Sequence, residues 1–236
     1  MPDINCEQIA ERILKSASED IKQLWLEPRL AIVQDGNIED DDELYLRGII
    51  KDAERLGIHV GGPADGADGI LYLGKSWSDR SYLNLDVDGV SIGNTMSVAE
   101  ATLEIALSLG VSGSALVIGR GRVGRDVARL LLDNDFTVTV CHSKTEKSVL
   151  YEQIQFADLV VIAAGGAKFH GDSFTRKHTV IDISGSVDGF TFATITPKSG
   201  GIGRVTRAIL LSRLVEEAVK KSCKASARRG KNRWND

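Results

Sequence analysis

The chain has 236 residues, a hydrophobic fraction of 42%, a charged fraction of 26% and a formal net charge of −4. This composition is that of an ordinary globular protein, long enough for one large domain or two small ones. The weak negative charge gives no global electrostatic reason to bind nucleic acid or an anionic membrane. No apolar run approaches the roughly 20 residues that span a bilayer. Since the amino terminus also lacks a signal-peptide core, we expect a cytoplasmic protein without nucleic-acid or membrane partners.

The cysteines and histidines show no pattern typical of a metal site. Cys6, Cys141 and Cys223 lie far apart and have no CxxC spacing, and the four histidines are not clustered. A disulfide framework and a zinc site are therefore both disfavoured. We predict no bound metal.

The first half of the chain alternates helical and strand patterns. Apolar residues at helical spacing predict helices over residues 4–25 and about 42–56, the second ending at Gly57. Short apolar runs predict strands at 29–34, 58–61 and 69–73. The acidic run at 39–43 is expected to precede a helix, where carboxylates interact favourably with the helix dipole, and not to bind a metal.

The second half shows a more regular alternation. A helix is predicted over 97–109, and further helices at 123–133, about 146–156 and about 204–220. Strands are predicted at 114–118, 136–141, 158–163 and 179–183. Strands that alternate with helices indicate a parallel sheet with right-handed crossovers. The basic, polar end of the chain from residue 221 is expected to be a frayed, solubilising tail.

A glycine-rich motif stands between the first strand and helix of this half. Residues 119–124 read Gly-Arg-Gly-Arg-Val-Gly, a G-x-G-x-x-G sequence. Gly119 would permit the tight turn, Gly121 would let the backbone approach a pyrophosphate, and Gly124 would let the helix pack closely on the strand. The phosphates would face the N–H groups at the helix N-terminus. Because the strand, helix and following strand supply the required context, the motif predicts a dinucleotide site.

The end of the second strand favours NADP over NAD. An NAD-selective site usually has an acidic residue about 20 positions after the glycines, but here residues 142–145 read His-Ser-Lys-Thr and the first acid is Glu146. Ser143 and Lys144 suit a 2′-phosphate, and Arg120 and Arg122 add positive charge. The alternative is that Lys144 is a surface residue and the site accepts either cofactor.

Several segments resemble the bifunctional methylenetetrahydrofolate dehydrogenase/cyclohydrolase family. Residues 195–206, ITPKSGGIGRVT, are similar to the family's ITPVPGGVGPMT loop. Residues 138–145 resemble its second-strand signature, and residues 157–161 resemble the next strand, which leads to Gly165. In the first half, DVDG at 86–89, DGIL at 68–71 and the helix around Tyr45 also match. The resemblance covers essentially the whole chain and is clearer in the second half.

The resemblance implies an α/β protein of two lobes, a Rossmann NAD(P)-binding domain and a smaller α/β N-terminal substrate domain, with a folate cleft between them and a homodimeric assembly. The implied domains are a substrate lobe at 1–96, the Rossmann domain at 97–203, a helix returning to the first lobe at 204–222 and a disordered basic tail at 223–236. The implied cofactor-binding residues are Gly119, Arg120, Gly121, Arg122, Val123, Gly124, His142, Ser143, Lys144, Thr145, Gly165, Gly200, Gly201 and Thr206.

The resemblance also implies that Asp88 hydrogen-bonds the pterin-like group of a folate-type substrate and that Tyr45 stacks on its ring. From the residues alone, Asp88 could equally be a turn residue before Gly89, and Tyr45 a core aromatic side chain.

The sequence departs from the family at the positions that serve proton transfer. The family's catalytic lysine, four residues after the tyrosine, is Ile49 here, and the glutamine that assists it aligns with Leu73. Lys51 lies some 120° around the helix from Tyr45, and Lys75 is more simply explained as a surface residue. The loop after the last strand has Arg204 in place of a proline. The chain also lacks the proline-rich segment and is shorter around residues 61–67 and 76–85.

These departures lead to a specific expectation. A missing general acid or base costs roughly 10²–10⁴ in rate, whereas hydride transfer mainly requires orientation. The sequence therefore predicts NADP-dependent oxidation of 5,10-methylenetetrahydrofolate in one-carbon metabolism, with cyclohydrolase activity weak or lost. The alternatives are an NAD(P)-dependent enzyme for another small amine or imine, and a non-catalytic dinucleotide-binding protein.

Overall fold

A computed structural model describes residues 3–35, 40–74, 86–89 and 95–232, and these divide into two compact units. Unit 1 consists of residues 1–9 and 98–206, and unit 2 consists of residues 10–97 and 207–236. Two sequence interpretations, the surface position of Lys75 and the shortening at 76–85, lie outside the described residues.

Unit 1 is built on a five-stranded parallel sheet. Its strands are β4 (Ser114–Ile118), β5 (Thr137–Cys141), β6 (Leu159–Ile162), β8 (Thr179–Asp182) and β10 (Thr194–Ile195), in the order β10-β8-β6-β4-β5. Helix α3 (Ser97–Ser108) precedes β4, α4 (Arg122–Asp133) connects β4 to β5, and α5 (Lys147–Phe156) connects β5 to β6.

The strand order creates a switch point at β4. The chain leaves β4 for β5 on one side and then returns to β6 on the other side. In open parallel sheets, ligands bind beyond the carboxyl ends of the strands at such a point. The glycine motif follows β4 directly, so the topology places it where a dinucleotide would bind.

Burial explains why these strands could be predicted. All four residues of β6 and residues 115–118 of β4 are buried, as expected for strands covered on both faces by helices. They contribute to an apolar core with Ile154 of α5 and Phe174. The first described residues extend the sheet, because Asp3 forms a parallel bridge to Ile195.

Unit 2 contains a smaller parallel sheet in the order β2-β1-β3. Its strands are β1 (Arg29–Asp35), β2 (His59–Val60) and β3 (Gly69–Gly74). Its helices are most of α1 (Cys6–Leu24), α2 (Asp40–Leu56) and most of α6 (Ile202–Asn232), and the first turns of α1 and α6 belong to unit 1. Asp68 secures the start of this sheet, since its Oδ2 accepts a hydrogen bond of 3.0 Å from Arg29 N–H and its Oδ1 lies 3.1 Å from Lys221 Nζ.

The predicted α/β fold with a Rossmann unit is confirmed, and most elements lie within two residues of their predicted bounds. The exceptions are short. The strands β7 (Phe169–His170), β9 (Val187–Asp188) and β10 contain two residues each, too few to show periodicity. The last helix differs more, because α6 continues to Asn232 where we expected an end near Lys220 and a frayed tail. Residues 221–232 contain no proline and are rich in lysine, arginine and alanine, which favour helix.

Among the described residues, none of the helices has the length and apolar character required to cross a membrane.

Candidate functional site

The glycine motif forms a tight loop between β4 and α4. Gly119 has φ +124°, a conformation that side chains rarely adopt, and a Cβ there would lie 2.5 Å from the carbonyl oxygen of Ala163. A Cβ on Gly124 would lie 2.0 Å from the carbonyl oxygen of Gly119. Both positions therefore require glycine for the close packing of α4 on β4 and β6.

Gly121 differs from its two neighbours in the motif. It precedes the first turn of α4 with φ −64° and ψ −175°, an ordinary extended conformation, and a Cβ there would meet no atom of the described residues within 4 Å. The fold itself does not require glycine at this position. The open space at the helix N-terminus fits a pyrophosphate that approaches the backbone closely.

The charge of this end of α4 also fits an anion. The first turn of the helix contains no acidic side chain, its amide N–H groups carry partial positive charge, and Arg120 and Arg122 flank Gly121. The residues present therefore suit the pyrophosphate of a dinucleotide. Val123, the remaining residue of the motif, is half-buried in the same turn.

The loop after β5 is held by its own hydrogen bonds. His142 N–H donates to Thr145 Oγ1 at 3.0 Å, and Thr145 N–H donates to the carbonyl oxygen of His142 at 2.8 Å. Lys144 N–H donates to His142 Nδ1 at 3.1 Å. The loop is thereby fixed with the Ser143 and Lys144 side chains exposed, at the carboxyl end of the strand next to β4.

The other predicted cofactor residues lie in the loops after β6 and β10 and in the first part of α6. Gly165 follows β6 and is exposed. Gly200 has φ +68°, and a Cβ on Gly201 would lie 2.0 Å from the carbonyl oxygen of Pro197, so the turn before α6 requires both glycines. Thr206 is buried, and its hydroxyl donates to the carbonyl oxygen of Ile202 at 2.9 Å.

Arg204, which stands where the family has proline, serves the structure of unit 1. Its side chain is buried and forms two hydrogen bonds to the Glu7 carboxylate, Nε to Oε2 at 2.8 Å and Nη2 to Oε1 at 3.1 Å. This bidentate pair joins the first turn of α6 to the first turn of α1.

In unit 2, residues 86–89 form a turn that requires glycine at its end. Gly89 has φ +71°, and a Cβ there would lie 1.9 Å from the carbonyl oxygen of Thr95. Asp86 Oδ1 accepts a hydrogen bond of 3.0 Å from Gly89 N–H. Arg213 of α6 donates to the carbonyl oxygens of Val87 and Thr95, each at 3.0 Å. Contacts from two directions therefore fix the backbone around Asp88.

Asp88 and Tyr45, which we predicted to bind substrate, belong to one polar cluster with Ser97. The Ser97 hydroxyl donates to Asp88 Oδ1, and Ser97 N–H donates to the Asp88 carbonyl oxygen at 3.0 Å. Burial raises the pKa of Asp88, although the hydrogen bond from Ser97 acts in the opposite direction. Burial, and then the nearby Asp88 charge, raise the pKa of Tyr45 well above its usual value.

The Tyr45 hydroxyl is a buried polar atom that forms no hydrogen bond of normal geometry with the described residues. A buried hydroxyl without a partner is unfavourable by roughly 1–3 kcal/mol. Among the described residues, it is the one buried side-chain nitrogen or oxygen atom in this condition. In a native structure such a group has a specific cause, such as a catalytic role or a bound water or ion, and here it lies near Asp88 and Ser97.

The two positions that the resemblance aligns with a lysine and a glutamine are occupied by buried apolar residues. Ile49 in α2 is fully buried and Leu73 in β3 is 5% exposed. Lys51 is exposed on α2. Neither Ile49 nor Leu73 carries a group that could transfer a proton.

The sequence analysis missed three residues around this cluster. Ser97 gave no signal except its place before a helix, and Arg213 and Arg207 of α6 were treated only as helix residues. Arg207 Nε donates to Asp52 Oδ2 at 3.1 Å. The contacts of Arg207 and Arg213 join residues more than a hundred positions apart, so no local pattern could indicate them.

Comparison with known proteins agrees with this geometry. Residues 99–189 match the model of the tetrahydrofolate dehydrogenase/cyclohydrolase NAD(P)-binding domain. The chain is 30% identical to the bifunctional protein FolD of Methanoculleus marisnigri, in an alignment that covers 91% of this chain and 95% of the relative. It is also 30% identical to FolD of Fervidobacterium nodosum, over 91% of this chain and 97% of the relative.

Two solved structures have the same fold. One is a 5,10-methylenetetrahydrofolate dehydrogenase from Bombyx mori, with a TM-score of 0.76, 23% identity and coverage of 94% of this chain and 99% of that one. The other is the Trypanosoma brucei methylenetetrahydrofolate dehydrogenase-cyclohydrolase in complex with NADP and an inhibitor, with a TM-score of 0.78, 22% identity and the same coverage. The identity and coverage of the curated relatives, together with the matched NAD(P)-binding domain, show that this chain belongs to the tetrahydrofolate dehydrogenase/cyclohydrolase family.

Proposed function

We propose that the protein oxidises 5,10-methylenetetrahydrofolate to 5,10-methenyltetrahydrofolate with NADP, and that its cyclohydrolase activity is weak or lost. The observation that carries the proposal is the pairing of an intact dinucleotide loop in unit 1 with a fully buried Ile49 in unit 2. The first feature supports hydride transfer. The second removes the group that proton transfer would need.

In this proposal the cofactor is held by the residues around the carboxyl ends of β4 and β5. The α4 N-terminus binds the pyrophosphate, and Arg120, Ser143 and Lys144 select the 2′-phosphate by charge and hydrogen bonding. When bound, the nicotinamide accepts the hydride. Arg122 and Val123 at the start of α4 and His142 and Thr145 after β5 shape the site. Gly165, Gly200 and Gly201 form its further loops, and Thr206 lies in the first part of α6.

The substrate is oriented in unit 2. Asp88 accepts hydrogen bonds from the N–H groups of the pterin-like ring, and Tyr45 stacks on an aromatic ring of the substrate. The substrate's own nitrogen lone pairs stabilise the cation that forms when hydride leaves. The protein therefore needs to supply orientation for this step and no proton transfer.

Hydrolysis of the methenyl product is different because water must be activated and a ring nitrogen protonated. Ile49 cannot do either, and Leu73 cannot assist a group at position 49. We infer that the methenyl product accumulates.

The test is absorbance spectroscopy of the purified protein with NADP⁺ and 5,10-methylenetetrahydrofolate, which separates reduced cofactor, methenyl product and formyl product. Reduced cofactor with accumulating methenyl product is the expected result. Rapid conversion to the formyl product would refute the loss of cyclohydrolase activity. Cofactor binding without any turnover would refute the folate assignment and favour an enzyme for another amine or imine, or a non-catalytic protein.

The variant Ile49→Lys tests whether this single position limits hydrolysis. A lysine there is expected to raise the hydrolysis rate at least ~10-fold, within the roughly 10²–10⁴ that an acid/base group contributes. Ile50→Lys, at the neighbouring position of α2, is the control. An equal rate in wild type and Ile49→Lys would mean that the loss has another cause.

We also infer a homodimer from family membership. Light scattering of the purified protein tests it, and a molar mass near that of a single 25.5 kDa chain would refute it.

A further inference from the structure

The guanidinium group of Arg207 packs against helix α2 beside the candidate substrate site. A Cβ on Gly48 would lie 2.8 Å from Arg207 Nε and 2.9 Å from Arg207 Cζ. Any side chain at position 48 would therefore displace the Arg207 head group. Glycine in a helix interior is unfavourable by about 1 kcal/mol relative to alanine. Gly48 therefore lowers the intrinsic stability of α2, but it leaves space for the Arg207 guanidinium.

Asp52 fixes the orientation of Arg207. Arg207 Nε donates to Asp52 Oδ2 at 3.1 Å, and the two side chains are only 21% and 9% exposed. Asp52 lies four residues after Gly48, so both are on the same face of α2. The guanidinium is thereby held at one place on the helix and is not a flexible surface group.

The same face of α2 carries Tyr45, three residues before Gly48. The positive charge of Arg207 acts to lower the pKa of Tyr45, against the larger effects of burial and of Asp88. The Arg207 guanidinium is thus close enough to interact electrostatically with the Tyr45 hydroxyl. That hydroxyl forms no normal hydrogen bond with the described residues.

We propose that Arg207 is a substrate-positioning residue whose guanidinium donates hydrogen bonds to an oxygen acceptor of the folate-type substrate beside Tyr45. This inference rests on the proposed function. A guanidinium stays protonated at all physiological pH values and cannot act as an acid or base. Arg207 therefore supplies a fixed positive charge at a site that has isoleucine at position 49, without supplying the proton transfer that hydrolysis needs.

Two groups of a folate carry suitable acceptors, the carbonyl of the pteridine ring and the carboxylates of the glutamate. Both accept the parallel N–H groups of a guanidinium. The assay therefore uses substrates with and without the glutamate. If the effect of Arg207 persists with the pteroate form, the acceptor is on the ring, and if it disappears, the acceptor is a glutamate carboxylate.

The first test removes the charge with Arg207→Met. The KM for 5,10-methylenetetrahydrofolate is expected to rise roughly 10- to 100-fold, the range for losing a hydrogen bond to a charged group. The kcat should stay within about 3-fold and the KM for NADP should not change. Arg207→Lys should recover part of the loss, because it keeps the charge but not the planar fork. Arg55→Met is the control for loss of an arginine ion pair elsewhere in unit 2, since Arg55 pairs with Glu11 at 2.8 Å on a more exposed surface.

The second test moves the guanidinium without removing it. Gly48→Ala should raise the KM for the folate in the same way as Arg207→Met. Because the alanine supports the helix and the guanidinium is kept, its unfolding temperature should lie above that of Arg207→Met. A structural role of the ion pair alone would lower the unfolding temperature of Arg207→Met and leave the KM unchanged.

The outcomes separate this proposal from the proposed function. Wild-type turnover with an unchanged KM in Arg207→Met and Gly48→Ala would overturn the role of Arg207 and leave the dehydrogenase assignment intact. If wild type shows no turnover, the dissociation constant of 5-formyltetrahydrofolate, measured by calorimetry, decides. Weaker binding by Arg207→Met would then support the role of Arg207, and equal binding, or no binding by either protein, would overturn it.

Discussion

The glycine motif allows one prediction that separates folding from cofactor binding. Gly124→Ala would place a methyl group 2.0 Å from the carbonyl oxygen of Gly119, whereas ordinary contacts lie at 3.4–4 Å. The backbone of β4 or α4 must therefore shift by more than 1 Å. Overpacking of this kind is unfavourable by roughly 1–3 kcal/mol, which corresponds to a fall in melting temperature of roughly 2–12 °C for a protein of this size.

Gly121→Ala is the matched variant. Alanine adopts the observed backbone angles without strain, and its methyl group would meet no atom within 4 Å in the part of the chain that the structure describes, so its effect on stability should stay below about 1 kcal/mol. The same methyl group would occupy the space through which a pyrophosphate approaches the backbone. We expect its dissociation constant for NADP to rise at least ~10-fold, as measured by calorimetry, with a near-wild-type thermal melt. Wild-type NADP affinity in Gly121→Ala would refute this account of the site.

Three further predictions concern single side chains. Burial lowers the pKa of the buried His178, so the unfolded chain takes up a proton near pH 6.5 at a pH where the folded chain does not. The free energy of unfolding should therefore fall as the pH drops below about 6.5. In urea unfolding, His178→Gln should show a smaller fall over the same pH range. Since burial raises the pKa of Asp88, the kcat/KM for the folate should decline as the pH falls through a value above the ordinary aspartate range, and Asp88→Asn should lack this inflection. Lys144→Ala should raise the KM for NADP roughly 10-fold and leave the KM for NAD unchanged, and equal effects on both cofactors would exclude contact with the 2′-phosphate.

The Rossmann unit could be predicted from sequence because its signals are local. The four residues of β6 are buried, so the strand is a continuous apolar run. The glycines at 119 and 124 are required by contacts within the β4–α4 turn and its neighbours. The end of α6 could not be predicted in the same way. Apolar periodicity indicates a helix that buries one face. The last residues of α6 are rich in lysine, arginine and alanine, which favour helix without giving such a pattern.

The candidate substrate residues of unit 2 could be proposed from sequence only where they coincide with a motif. Tyr45 and Asp88 were predicted because their neighbouring residues resemble the family, and isoleucine in place of lysine at position 49 was inferred from the same resemblance. Arg207 lies in a helix that resembles the family only at its start, and its partner Asp52 is 155 positions away. The resemblance therefore suggested isoleucine in place of a lysine at position 49, but only the fold shows that the Arg207 guanidinium packs against the same helix.

This difference has a chemical consequence for how the site could have changed. A lysine at position 49 could bind substrate and transfer a proton, whereas the arginine held by Asp52 can bind but cannot transfer one. Substitution of lysine by isoleucine alone would leave the substrate site without a positive charge on this face of α2. Because Gly48 leaves space for Arg207, its guanidinium supplies a positive charge on this face, and only the acid/base function is removed. Under our proposals, hydrolysis can therefore be lost while the orientation that hydride transfer requires is preserved.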